Sequence, residues 1–82
     1  KAAGFTAVVN THHRCTGGTY AATLPLGVTT PGQTISIKNI SATLVTVTCS
    51  GGDLIDGSSA TLPLVAGECA LIVGHTTGWD LI

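Results

Sequence analysis

Thr34-Ile35-Ser36-Ile37-Lys38-Asn39, followed after a short link by Leu44-Val45-Thr46-Val47-Thr48-Cys49, decides the fold class. Ile35 and Ile37 alternate with Thr34, Ser36 and Lys38, and Val45, Val47 and Cys49 alternate with Thr46 and Thr48. A period of two places the apolar members on one face of an extended strand and the polar members on the other. The link beginning at Ile40 is short enough to predict an antiparallel hairpin between the two strands. Outward from this pair no apolar period of 3.6 residues survives for three turns, and 11 glycines and three prolines interrupt the chain at short intervals.

Upstream, residues 5–10 and 19–24 read as strands, joined by residues 11–18, where Gly17 and Gly18 admit positive φ. Pro31-Gly32 is a turn signal. Downstream, Gly51-Gly52 and Asp56-Gly57 bracket the short segment 53–55. Residues 60–64 follow as a strand that Pro63 marks as an edge, and Val65-Ala66-Gly67 turns the chain. Cys69 to Val73 is a continuous run of β-formers, expected to be covered on both faces, and Thr77-Gly78 closes a hairpin onto Trp79 to Ile82. The expectation is an all-β fold: a small antiparallel β-sandwich or barrel of seven to eight short strands, one domain over residues 1–82. Ile35, Ile37, Val45, Val47, Leu71 or Ile72, and Trp79 are its expected core.

Composition narrows the function. Only 9% of the 82 residues are charged and the net charge is −1, which offers no electrostatic footprint for nucleic acid or anionic lipid. Mean hydropathy is +0.51, yet no apolar run approaches the roughly 20 residues that span a bilayer. Membrane insertion and a signal peptide are therefore not expected. Fourteen threonines and five serines supply neutral polar surface. A chain this small and this poor in charge is expected to bury further apolar area by self-association as a homotrimer. Cys69, Leu71, Val73, Trp79, Leu81 and Ile82 are the interface candidates, because the last two strands carry more apolar side chains than one small core covers. The absence of Met, even at position 1, suggests a processed chain, a fragment or the ordered part of something longer.

Cys15, Cys49 and Cys69 form an odd set without a Cys-x-x-Cys pair. Reduced, packed thiols are expected, with one bridge plus one free thiol as the alternative. In His12-His13-Arg14-Cys15, an extended backbone would project His13 and Cys15 on one face, giving His12, His13 and Cys15 as weak metal candidates. Zinc would need further ligands from His75, Cys49 or Cys69, or a symmetric trimer could gather one His per chain on its axis. A solvated loop is the plainer expectation, and no cofactor is predicted. Asp53 and Asp56 lack the companions of a calcium loop or a glycosidase pair, and Asp56-Gly57 already reads as a turn. Ser58, Ser59 and His75 come without a nucleophile elbow, so no catalytic residue is expected. Phe5, Tyr20 and Trp79 are too few for a stacking platform, and Trp79 reads as a core plug. Asn39-Ile40-Ser41 matches a glycosylation sequon by chance.

Five segments in order, Thr23-Leu-Pro25, Pro31-Gly-Gln-Thr-Ile-Ser-Ile-Lys-Asn39, Val45-Thr-Val-Thr-Cys-Ser-Gly-Gly52, Ile55-Asp-Gly57 and Leu71-Ile-Val-Gly-His-Thr-Thr-Gly-Trp79, resemble a β-domain of tailed-phage virion surface proteins. The resemblance covers nearly the whole chain, although residues 1–18 match only in being β-like, and the His12–Cys15 segment and three cysteines depart from the pattern. It implies a non-enzymatic, trimeric structural protein on the virion surface, assembled in the host cytoplasm. As a capsid decoration or cement protein it would bridge neighbouring copies of the major capsid protein or another virion protein. As a tail- or head-fibre or spike module it would touch a host receptor or surface glycan. The short length favours the first and the missing Met the second.

Overall fold

The computed structural model describes residues 1–27 and 31–82. It contains nine strands and no α-helix among those residues: β1 (Phe5–Thr6), β2 (His12–Cys15), β3 (Tyr20–Thr23), β4 (Thr34–Asn39), β5 (Val45–Thr48), β6 (Leu54–Ile55), β7 (Thr61–Leu64), β8 (Cys69–His75) and β9 (Gly78–Leu81). They form two open sheets, ordered β1-β3-β5-β7 and β2-β4-β8-β9-β6. The fold is thus a two-layer sandwich, and the barrel alternative falls away because both sheets keep free edges.

From β1 to β8 the chain changes sheet at every connection, and only β8 to β9 stays within one. In the first half of the chain, strands two apart therefore lie side by side and run parallel: β1 beside β3, β3 beside β5, β2 beside β4. The crossover that parallel pairing requires is supplied by a strand of the opposite sheet. Among the described residues four of the seven strand pairs are parallel, which corrects the expectation of an antiparallel sandwich.

The expected hairpin between residues 34–39 and 44–49 does not form. β4 pairs with β2 and β8, whereas β5 pairs with β3 and β7. Their apolar faces meet across the core instead. The tightest hairpins need residues at positive φ, and no residue from Ile40 to Leu44 adopts it. Asn39 shapes an arch there: its Nδ2 donates to the carbonyls of Thr43 and Leu64, both at 2.8 Å, and its Oδ1 accepts from the Ser41 amide and hydroxyl.

Two further expectations change. Residues 5–10 hold only the two-residue β1, with Asn10 at φ 58°, and the expected link 11–18 contains β2. The run from Cys69 extends to His75 and is covered on one face: Ala70 and Ile72 are buried while Leu71 is 43% exposed. Ile72, not Leu71, is the core residue.

The other punctuation is as expected. Pro63 lies on β7, the edge of the four-stranded sheet. Asp56 and Gly57 both take left-handed φ in a turn after β6. β8 and β9 form the antiparallel hairpin that ends on Trp79. Ala22, Leu24, Val45, Val47 and Leu64 from one layer pack against Cys15, Ile35, Ile37, Ile72 and Trp79 from the other. The fully buried Trp79 donates its indole N–H to the Pro25 carbonyl, 3.1 Å away, so the largest side chain is both packed and satisfied.

Candidate functional site

His12-His13-Arg14-Cys15 is extended, so the alternation foreseen for it is realised: His13 and Cys15 turn inward, His12 and Arg14 outward. Both ring nitrogens of His13 are engaged. Nε2 accepts from the Val8 amide at 3.1 Å and Nδ1 lies 3.2 Å from the Ser36 carbonyl, an arrangement that places the ring proton on Nδ1. Binding a metal would forfeit one of these backbone contacts. His12 faces the other way, with Nδ1 2.6 Å from the Ser36 hydroxyl, and Cys15 is fully buried. Among the described residues no three His, Cys, Asp or Glu side chains gather at metal-binding distance.

Around this strand lies a small aromatic cluster. Phe5 stacks on His13 at 5.3 Å, meets Tyr20 edge-on, and lies 5.1 Å from the Lys1 ammonium. The Tyr20 hydroxyl donates to the Lys1 carbonyl at 2.6 Å. Burial, then hydrogen bonding to and the charge of Cys15, pushes that hydroxyl up to about 12. A shallow groove of about 460 Å³ runs beside β2, lined by Lys1, Val8, Thr11, His12, His13 and Arg14.

The remaining polar candidates serve the backbone. Asp53, buried, accepts the Gly27 amide at 2.7 Å, and Asp56 accepts the Leu81 amide at 2.9 Å. Ser59 donates to the Thr61 carbonyl, and His75 is engaged by Thr77 and Asp80. Burial, with a smaller contribution from Asp53, raises the Cys49 thiol above its ordinary value. All three cysteines are free, and Cys69 alone is exposed. Asn39 is fully buried and hydrogen-bonded, which removes the sequon as a glycosylation site.

The outer sheet faces offer the more informative arrangement. On the five-stranded sheet, Cys69, Leu71 and Val73 of β8 point outward, and Ile82, whose amide donates to the Leu71 carbonyl, continues the row. Four of the six residues singled out as interface candidates thus share one exposed face. Trp79 is turned into the core instead, and Leu81, paired with the buried Ile72, is 41% exposed at the end of β9. Cross-strand rows on this face are Arg14-Lys38-Cys69, His12-Ser36-Leu71 and Thr34-Val73-Asp80. On the four-stranded sheet the register aligns Thr6, Thr23, Thr48 and Thr61 in one row on the outer face, without a charged member.

No protein family matches the chain, and neither curated proteins nor solved structures give a match.

Proposed function

We propose that this chain is a non-enzymatic structural module that acts as a homotrimer on the surface of a tailed-phage particle, as a decoration protein cementing the head against neighbouring copies of the major capsid protein. The observation that carries the assembly reading is the outer face of the five-stranded sheet. Leu71 is 43% and Ile82 72% exposed there, and Val73 is partly exposed beside them. A sheet buried on one side alternates apolar inward and polar outward, and here Cys69, Leu71 and Val73, three of the four outer positions of the central strand, are apolar as well. Such a stripe on a chain with few charges is suited to burial between copies.

The virion reading rests on the five ordered segments. Most of them coincide with elements that determine the backbone: Asn39 closes β4, Val45–Thr48 is β5, Gly51 and Gly52 turn the chain at positive φ, Asp56-Gly57 is a left-handed turn, and Gly74 to Trp79 is the final hairpin. They are suited to specifying one architecture, while the surface between them is left to specify the partner. The row Thr6-Thr23-Thr48-Thr61 favours a second reading, a fibre or spike module, since an uncharged hydroxyl face suits a neutral glycan.

Light scattering on the intact chain tests the assembly: a mass three times 8.2 kDa is expected, and a stable folded monomer at micromolar concentration would remove the reading. Immunogold labelling of purified particles tests location. Label distributed over the head supports decoration, label confined to fibres or spikes supports the second reading, and no label on intact particles removes both.

A further inference from the structure

The charged groups on the five-stranded sheet are separated by sign, with the exception of Glu68. Lys1, Arg14 and Lys38 are all the lysines and arginines of the chain. Arg14 and Lys38 stand directly opposite one another in the register of β2 and β4, and Lys1 is tied to the free edge of β2 by its main chain, its nitrogen donating to the Arg14 carbonyl and its carbonyl accepting the Thr16 amide, while its ammonium lies over the Phe5 ring. Like charges directly opposite across a ladder are unfavourable. Among the described residues the one ion pair is His75–Asp80, so no carboxylate is ion-paired to this corner. Glu68, exposed at the same end of the sheet and accepting the Val65 amide through Oε1, offsets one of these three positive charges, and the Lys38 ammonium donates to the Gly67 carbonyl at 2.6 Å, so the corner keeps a net positive charge.

At the opposite edge the sign reverses. Asp56 follows β6 and Asp80 lies on β9, both exposed, Asp56 accepting the Leu81 amide and Asp80 lying 3.5 Å from the His75 ring, and Asp53 precedes β6 in a buried position. The apolar residues Leu71, Val73 and Ile82 lie between the two corners. This face therefore has a basic corner, an apolar centre and an acidic corner.

We infer that the basic Arg14–Lys38 corner of one copy docks against the acidic Asp56–Asp80 corner of the next, so that the trimer closes through three identical head-to-tail contacts with the Leu71-Val73-Ile82 stripe turned toward its axis. This inference rests on the homotrimer reading and adds which surfaces meet. The occupant is a second copy because the chain carries the complementary charge on its own opposite edge. A head-to-tail contact uses two different patches and generates a ring when the rotation closes. The contact is made by side chains rather than by strand addition, since Lys1 already bonds the outer edge of β2 at Arg14 and Thr16. Arg14 is level with Cys69, and Asp80 with Val73. Four residues of strand, about 13 Å, separate the two rows, so neighbouring copies meet staggered rather than level, as strands tilted in a closed ring do.

The test is sedimentation velocity on the full chain and on Arg14→Glu, Asp80→Lys and the double variant, at low and high ionic strength, with far-UV circular dichroism to verify folding. Arg14 and Asp80 are exposed, so their replacement spares the core; Arg14→Gln serves as the milder change if Arg14→Glu does not fold. Each single reversal is expected to weaken association at least about tenfold, and the double variant to recover to within about threefold of the original chain. High salt is expected to weaken the unmodified trimer and to blunt the effect of each reversal. A trimer indifferent to both reversals, or a double variant no better than the sum of its parts, would overturn the head-to-tail contact while leaving the trimer standing. A folded monomer at every concentration and ionic strength would overturn the trimer and the contact together.

Discussion

Asn39 does at one position what a longer chain would spread over several. Fully buried, it donates to the Thr43 carbonyl in the arch and to the Leu64 carbonyl on β7, and accepts two bonds from Ser41, so every polar valence of its amide is filled. Asn39→Ala would leave the Thr43 and Leu64 carbonyls and the Ser41 amide without these partners. The expected loss is about 2–4 kcal/mol of the roughly 4–12 kcal/mol available to a domain of this length, seen as a lower urea midpoint. A midpoint unchanged by the substitution would refute this role. Tyr20 supplies a pH test. Its hydroxyl, raised by burial and by Cys15 to about 12, holds its proton more tightly in the folded chain than in the unfolded chain. The contribution is therefore complete below about pH 10 and is lost as the pH rises toward 12. Tyrosinate absorbance should titrate later in the folded protein than in urea, and coincident titrations would exclude the effect. Neither role was legible in sequence: Asn39 read as a strand end and chance sequon, and Tyr20 as one of three scattered aromatics, because both depend on groups contributed from distant segments.

At the scale of elements, what alternation reveals is which way a side chain faces, and there the sequence was informative. Ile35, Ile37, Val45 and Val47 all point into the core as their spacing requires. Alternation does not say which strand lies alongside, and the same two apolar faces serve a hairpin or two layers facing each other. The arch won because its link lacks a residue at positive φ and contains the Asn39-Ser41-Thr43 network. Strand β2 escaped for a different reason: its inward residues are His13 and Cys15, which carry little apolar contrast against His12 and Arg14. Gly78 marks the point where β9 meets β6. A methyl group there would fall on the Leu54 carbonyl oxygen, which is backbone and has no rotamer to give way, and Gly27 is pressed equally close to the Gly78 carbonyl. Gly78→Ala is therefore expected to cost about 2–3 kcal/mol. Equilibrium urea unfolding measures it, and a loss under about 0.5 kcal/mol, the range of an ordinary surface change, would show that the contact relaxes.

For the molecule as a whole, the two outer faces make opposite predictions for the same kind of substitution. Leu71 and Thr46 both project outward from inner strands, Leu71 from β8 and Thr46 from β5. In one isolated copy neither belongs to the core, so a carboxylate at either place should be solvated and tolerated. In the proposed trimer the positions differ, because the stripe containing Leu71 is buried between copies while the threonine face remains in water. Leu71→Asp would place one unpaired carboxylate per chain in the apolar centre of the assembly, at a cost of several kcal/mol each. The expected product is a folded chain of 8.2 kDa, with an unchanged β-type circular dichroism spectrum and a mass one third of that of the unmodified protein. Thr46→Asp is expected to leave the mass unchanged. A Leu71→Asp variant that remained trimeric would show that the five-stranded sheet faces solvent. Dissociation by Thr46→Asp alone would move the interface to the threonine-lined sheet.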